Sequence, residues 1–246
     1  MRLDIASISE VGERKRNEDC VDIIRSEAGT CVVLCDGLGG HEAGDLASAC
    51  VCGSIRRRFE ACTQEDKLED LAYGLVLQAQ DDLLQYQQEL GKTGGMKTTA
   101  CCLVIRDGKA AAAYVGDSRI YLIRKKKILC RSKDHSIPQY LVNIGEIKDA
   151  DIRHHPDRNK LLRVMGSEWE TPRHQKLPLP ELAENDAFLL CSDGFWEWVE
   201  DKEMAETLRS SSGSAQWLEK MGELIYKRGS GKNMDNLSAI AVICRG

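Results

Sequence analysis

No apolar stretch of the 246-residue chain approaches the ~18 residues that a membrane-spanning helix needs, so a bilayer span is excluded. The opening stretch from Met1 to Glu10 lacks the continuous apolar core of a secretory signal, which predicts a cytoplasmic protein. Positive charge is not in surplus. The 34 Lys and Arg face 39 Asp and Glu, a formal net charge of −5, and this argues against nucleic-acid binding through bulk charge. Neither a low-complexity tract nor a 20–50-residue repeat is present, which removes solenoids and arrays. No cysteine pair has Cys-x-x-Cys spacing, so neither a zinc ribbon nor a thioredoxin-type motif is supported. Gly37-Leu38-Gly39-Gly40 lacks the third glycine spacing of a dinucleotide fingerprint, and no Walker A lysine occurs.

What is present is an ordinary globular composition, 42% hydrophobic and 30% charged, which does not suit disorder. A chain of this length buries about 70–75% of its unfolded surface and needs no covalent staples. The eleven cysteines are the compositional oddity. Several lie in apolar runs (Cys31, Cys35, Cys50, Cys52, Cys101, Cys102, Cys191), where they read as small buried hydrophobes in a reducing compartment.

Apolar periodicity predicts strands over 3–8, 20–25 and 30–35, then helices over about 42–60 and 64–90. A strand-rich block follows at 98–105, 109–115 and 119–123, its turns marked by Asp107-Gly108 and Gly116-Asp117. Residues 137–170 break the pattern and read as a flap-like subregion. A further strand over 186–192, helices over about 201–210 and 214–228, and a last strand over 237–244 complete the chain. Strands and helices are grouped rather than alternating, which favours an α+β layered fold over a doubly wound parallel sheet.

Two apolar runs, Val32–Cys35 and Phe188–Ser192, each deliver an Asp-Gly, at Asp36-Gly37 and Asp193-Gly194. A carboxylate at the end of a buried strand is anchored by the core yet presented at the sheet rim, and the glycine permits a sharp turn. All-oxygen ligands of this kind suit Mg²⁺ or Mn²⁺. Asp-Gly is also common turn punctuation, so spacing alone leaves both readings open. The histidines and cationic runs read more blandly. His41 suits turn packing, His135 local hydrogen bonding, and His154-His155 the surface. Arg56-Arg57-Arg58 complements a helix C-terminus, and the run from Arg124 to Lys127 suits a solvated hairpin turn.

Five stretches in order carry a resemblance: Arg14-Lys15-Arg16-Asn17-Glu18-Asp19, Asp36-Gly37-Leu38-Gly39-Gly40-His41, Gly116-Asp117-Ser118-Arg119, Ser192-Asp193-Gly194 and Asp235-Asn236-Leu237-Ser238. Met96-Lys97-Thr98-Thr99 and Asp134-His135-Ser136 support them. Together they resemble the metal-dependent serine/threonine protein phosphatases of the protein phosphatase 2C type, in their bacterial form. The resemblance implies one catalytic domain over 1–246, built as a central antiparallel β-sandwich flanked by helix pairs. It implies two Mn²⁺ or Mg²⁺ ions with a weaker third. Asp36 would bridge the two, with the Gly37 carbonyl on one and Asp193 and Asp235 on the other. Glu18 would act mainly through water, and Asp117 with Asp193 would serve the third ion. Arg14 would bind phosphate and Asp19 would orient metal-bound water.

The implied reaction is hydrolysis of phosphoserine and phosphothreonine by a metal-bridging hydroxide, without a phosphoenzyme. The implied partners are phosphorylated proteins, among them a serine/threonine kinase and its targets, acted on by a monomer with no nucleic-acid or membrane partner. Leu38 stands where many eukaryotic relatives place a histidine, which leaves the general acid open. Two rivals are weaker. A haloacid-dehalogenase-like enzyme needs Asp-x-Asp after its first strand, whereas Asp36 is followed by Gly37-Leu38, and a non-catalytic module would be expected to have lost the metal carboxylates.

Overall fold

The computed structural model describes residues 1–38, 43–125 and 127–246. The strands among them are β1 (Arg2–Glu10), β2 (Asp19–Ser26), β3 (Gly29–Asp36), β4 (Ala100–Arg106), β5 (Lys109–Val115), β6 (Arg119–Arg124), β7 (Lys127–Arg131), β8 (Gln175–Leu177), β9 (Ala187–Cys191) and β10 (Leu237–Arg245). The helices are α1 (Gly44–Glu60), α2 (Leu68–Glu89), α3 (Ile137–Asn143), the single turn α4 (Asp193–Trp196), α5 (Asp201–Arg209) and α6 (Ser214–Gly229). One sheet runs β1-β10-β9-β6-β7 and the other β2-β3-β4-β5-β8. Every strand pairing in both is antiparallel.

The apolar runs are continuous because the central strands are covered on both faces. In β3, Val32 and Leu34 enter the core between the sheets, with Leu103, Ile120, Leu122, Phe188 and Leu190. Their neighbours Val33 and Cys35 face outward and pack with Val51, Ile55, Phe59, Val76 and Leu83 of α1 and α2. The other sheet repeats the pattern, with Tyr121, Leu189 and Ala241 against Trp217, Leu218, Met221 and Ile225 of α6. The layers are therefore helices, sheet, sheet, helices. All eleven cysteines are free thiols, and Cys31, Cys35, Cys52 and Cys102 fill the helix-facing core as expected.

Differences from the sequence reading have local causes. The expected start of the first helix near 42 lies outside the described residues. The second helix begins at Leu68, because the Thr63 N–H donates to the Asp66 carboxylate (2.8 Å) and holds a turn there. The short edge strand β8 was not anticipated. The arginine run closing α1 is ion-paired rather than simply dipole-stabilising: Arg56 binds Asp22 and Arg58 binds Asp82 at 2.7 Å. In the β6–β7 hairpin, Arg124 is not solvated but binds the fully buried Asp186 carboxylate at 2.7 Å. The end of the 137–170 subregion is sewn to the body. Met165 and Thr98 form a β-bridge, and Gln80 and Gln87 of α2 hold the Gly166 N–H and carbonyl at 2.8 Å.

Candidate active site

The two sheets place their acidic strand ends at one edge of the sandwich. β2 starts at Asp19 and β3 ends at Asp36, and the two are register partners. In the other sheet, β9 runs out into Ser192-Asp193 while its neighbour β10 is entered from Asp235-Asn236. The β5–β6 turn adds Asp117. Glu18, Asp36, Gly37, Asp117, Asp193 and Asp235 line one cavity of about 660 Å³, with Arg14 and Leu38.

Backbone approaches fix these positions. A Cβ on Gly37 would sit 2.3 Å from the Gly44 carbonyl oxygen and 2.6 Å from that of Glu18, so only glycine fits where β3 meets α1. Gly194 is equally constrained, since a Cβ there would sit 2.2 Å from the Asn236 carbonyl oxygen. Asp36 is pinned through its backbone. Its N–H donates to Thr99 Oγ1 (3.0 Å), and its carbonyl accepts from Thr98 Oγ1 and the Thr99 N–H, both at 2.8 Å.

Sequence reasoning assigned no role to several residues that build the frame. The Asn236 amide donates to the carbonyls of Val11 (2.9 Å) and Arg16 (2.8 Å), and its oxygen accepts from the Glu18 N–H (2.8 Å). The loop carrying Arg14 and Glu18 is thus tied to the strand entry that carries Asp235. The Ser192 hydroxyl donates to Asp19 Oδ2 (3.1 Å) and joins the two sheets beneath the site. Behind Asp117, the Trp196 indole N–H donates to its carbonyl (3.0 Å), and the Arg119 guanidinium lies 3.5 Å above that indole. Arg119 is itself locked to Asp134 by bonds of 2.9 and 2.7 Å, the two side chains only 2% and 1% exposed. The signal for Arg119 and Asp134 was their place in the motifs; Trp196 had none.

Burial and mutual repulsion dominate the electrostatics. Burial, then the charges of Asp19, Asp193, Asp117 and Asp235, holds the Asp36 carboxyl well above the carboxylate range. Asp193 is raised by burial and then by Asp117 and Glu197. Burial pushes Asp117 up to about 7, with Asp134 adding to it, and pushes Asp19 up to about 6. Glu18 is raised by burial and by Asp45 and Asp235. Buried Asp19 Oδ1 has no hydrogen-bond partner among the described residues. Arg14, its Nη2 2.7 Å from Asp235 Oδ2, is the cation paired with this cluster.

This donor set fits hard divalent cations. It offers oxygen only, and it carries uncompensated negative charge that a cation relieves. Among the described residues, no three Asp, Glu, His or Cys side chains form a ready cage for an ion. Mg²⁺-type sites commonly complete a few carboxylates with backbone carbonyls and water, which suits this arrangement. The histidines lie elsewhere. His135 Nδ1 accepts the Gly116 N–H (3.1 Å), the ring stacks on Tyr114, and burial lowers its pKa to about 4, in keeping with a local structural role. His154 is exposed, and His155 accepts the Asp157 N–H (3.1 Å). His41 lies outside the described residues.

Known proteins share this architecture. Serine/threonine phosphatase stp of Listeria monocytogenes is 29% identical over 233 residues, covering 93% of this chain and 90% of that protein. The crystal structure of serine/threonine phosphatase Stp1 from Staphylococcus aureus matches with a TM-score of 0.88 at 29% identity, over 100% of this chain and 96% of that one. The catalytic domain of serine threonine protein phosphatase PstP, solved in complex with two manganese ions, matches with a TM-score of 0.81 at 26% identity, over 99% of both chains. The profile of the Protein phosphatase 2C family covers residues 9–237, from the end of β1 to the first residue of β10. With the acidic strand ends and their glycines inside that span, the chain belongs to the protein phosphatase 2C family of metal-dependent phosphoprotein phosphatases.

Proposed function

We propose that the cavity at the strand ends hydrolyses phosphoserine and phosphothreonine in proteins, with Asp36, Asp193 and Asp235 as the principal metal carboxylates. The observation that carries this reading is the convergence of carboxylates from both sheets on a single cavity, with the Arg14 guanidinium ion-paired to Asp235 at its edge. Two divalent cations, when bound, reverse the local field, lower the pKa of water and neutralise charge developing on phosphorus. Asp36, the Gly37 carbonyl, Asp193 and Asp235 hold them, Glu18 supports them through water, and Asp117 with Asp193 serves a weaker third; Mn²⁺ and Mg²⁺ both suit these ligands.

The chain's own groups then divide the work. Arg14 holds two phosphate oxygens with its planar fork once Asp235 is engaged elsewhere. Asp19, braced by the Ser192 hydroxyl beneath the cavity, has no partner for its buried Oδ1 among the described residues and orients water held at the cavity floor. Leu38 presents no acid, so the leaving serine or threonine oxygen takes its proton from water in the cavity. The substrates are phosphorylated cytoplasmic proteins, including a serine/threonine kinase and its targets, and the catalytic unit is a monomer. No helix among the described residues is long and apolar enough to cross a membrane. The test is turnover of a phosphothreonine peptide with Mn²⁺ and with excess EDTA. Full activity in EDTA, or in Asp193→Asn at saturating Mn²⁺, overturns the reading.

A further inference from the structure

A second cavity, of about 720 Å³, opens beside the first and shares Arg14, Asn159, Asp193 and Asp235 with it. Its other walls come from the 137–170 subregion (Arg153, Arg158), from the segment after α4 (Trp198), from the last turn of α6 (Arg228) and from the loop before β10 (Lys232). We propose that this cavity is an anion subsite, which takes an acidic or phosphorylated side chain of the substrate a few residues from the phosphoserine or phosphothreonine being hydrolysed. The inference rests on the phosphatase reading of the first cavity.

Charge accounting supports it. Arg158 and Arg228 are matched by Glu197 and Glu203 at 2.5 Å. Lys232 has no ion pair among the described residues; it is exposed, its Nζ 5.7 Å from the Trp198 ring. The Arg153 side chain is only 8% exposed, and its buried Nη1 has no hydrogen-bond partner among the described residues. Its remaining contacts are loose, 3.5 Å to Glu200 and 3.3 Å to Asp201. Two of the carboxylates on the shared wall, Asp193 and Asp235, are the proposed metal ligands. When they are neutralised, the wall becomes positive, and Glu197 and Glu200 are the acidic groups left facing it. An extended peptide advances about 3.3 Å per residue, so a side chain one to three positions from the phosphoresidue reaches across the shared wall. The Trp198 face offers apolar contact for the stem of that side chain.

The test compares Mn²⁺-loaded protein on three phosphothreonine peptides, with alanine, glutamate or a second phosphothreonine at flanking positions. Their KM values are measured, along with the fluorescence-anisotropy Kd of non-hydrolysable phosphonate versions. Wild type should favour an acidic peptide over the alanine peptide by about five-fold or more in both quantities, which is roughly 1 kcal/mol. Lys232→Glu should bring the ratio to about one or below, and Lys232→Met should lie between. Preference for glutamate alone identifies a carboxylate site, and preference for the second phosphate alone a phosphate site; either supports the proposal. Equal KM and Kd for all three peptides in wild type overturn it without recourse to a variant, as does an acidic preference that survives in Lys232→Glu. If no peptide is hydrolysed but the Kd values still discriminate, the phosphatase reading fails while the subsite stands.

Discussion

Replacing Asp117 by asparagine should stabilise the metal-free protein, increasingly so as pH rises. Asp117 is buried, and that burial, with smaller contributions from the charges of Asp134 and Glu197, pushes its carboxyl from 3.8 up to about 7. A carboxyl with a raised folded-state pKa binds more protons in the native than in the unfolded state, so its contribution to stability falls as pH climbs from about 4 through 7. Between pH 5 and pH 8 this loss amounts to roughly 2–3 kcal/mol. Asparagine has nearly the same shape and does not titrate, so the variant escapes the loss. Other groups titrate in this range, among them His135, whose lowered pKa makes stability rise with pH up to about 6.5. Groups not coupled to Asp117, such as His135, cancel in the difference between variant and wild type, whereas Asp36 and Asp193 gain from losing the neighbouring charge and add to the stabilisation.

Urea unfolding in excess EDTA at pH 5, 6, 7 and 8 measures that difference. It should grow by roughly 2–3 kcal/mol across the range, or about 5–10 °C in Tm for a chain of this size. Saturating Mn²⁺ should reverse the order at pH 8, because a ligand that binds only the native state stabilises the protein that binds it better. A difference that stays flat from pH 5 to pH 8 in EDTA would refute the argument that uncompensated charge at this site destabilises the metal-free fold.

Asp36→Asn and Asp193→Asn should each reduce p-nitrophenyl phosphate turnover by ~10³-fold or more, since each removes a charge from the metal site; near-normal rates at saturating Mn²⁺ would exclude that residue as a ligand. Arg14→Lys should raise KM for a phosphopeptide by ~10-fold, or about 1.4 kcal/mol, because an ammonium cannot hold two phosphate oxygens. Mn²⁺ affinity of the same variant should hold or improve, given that Arg14 occupies Asp235; a large fall in affinity would make its role structural. Asp134→Ala should cost about 3–5 kcal/mol in urea unfolding by leaving the Arg119 guanidinium buried without its carboxylate. A loss below 1 kcal/mol would mean that Arg119 finds another partner.

The strand ends were legible because the physics that places them is local. Val32–Cys35 and Phe188–Cys191 are apolar at every position, which only a strand covered on both faces tolerates, and Asp36 and Asp193 break each run at its exit. The edge strand β8 was not legible. Two of its three residues, Gln175 and Lys176, are exposed, and nothing but its neighbour β5 makes it a strand. Long-range pairing hid the rest. Asp22 and Asp82 meet the α1 arginines across 34 and 24 residues, and Asp186 meets Arg124 across 62. A charge run therefore looks solvated until the fold supplies its partners.

The same limit explains why the candidate metal carboxylates could be read while the second cavity could not. A buried aspartate is costly wherever it lies, so Asp36 and Asp193 at the ends of apolar runs raise a compensating cation as one of two readings. An exposed lysine costs nothing, and Lys232 carries no such implication by itself. It acquires one from tertiary structure alone, because folding brings it to the same cavity as Arg153 and the candidate metal carboxylates Asp193 and Asp235. Catalysis leaves a mark in the sequence through the penalty of its buried charges, whereas substrate preference on this surface depends on which solvated charges the fold sets side by side.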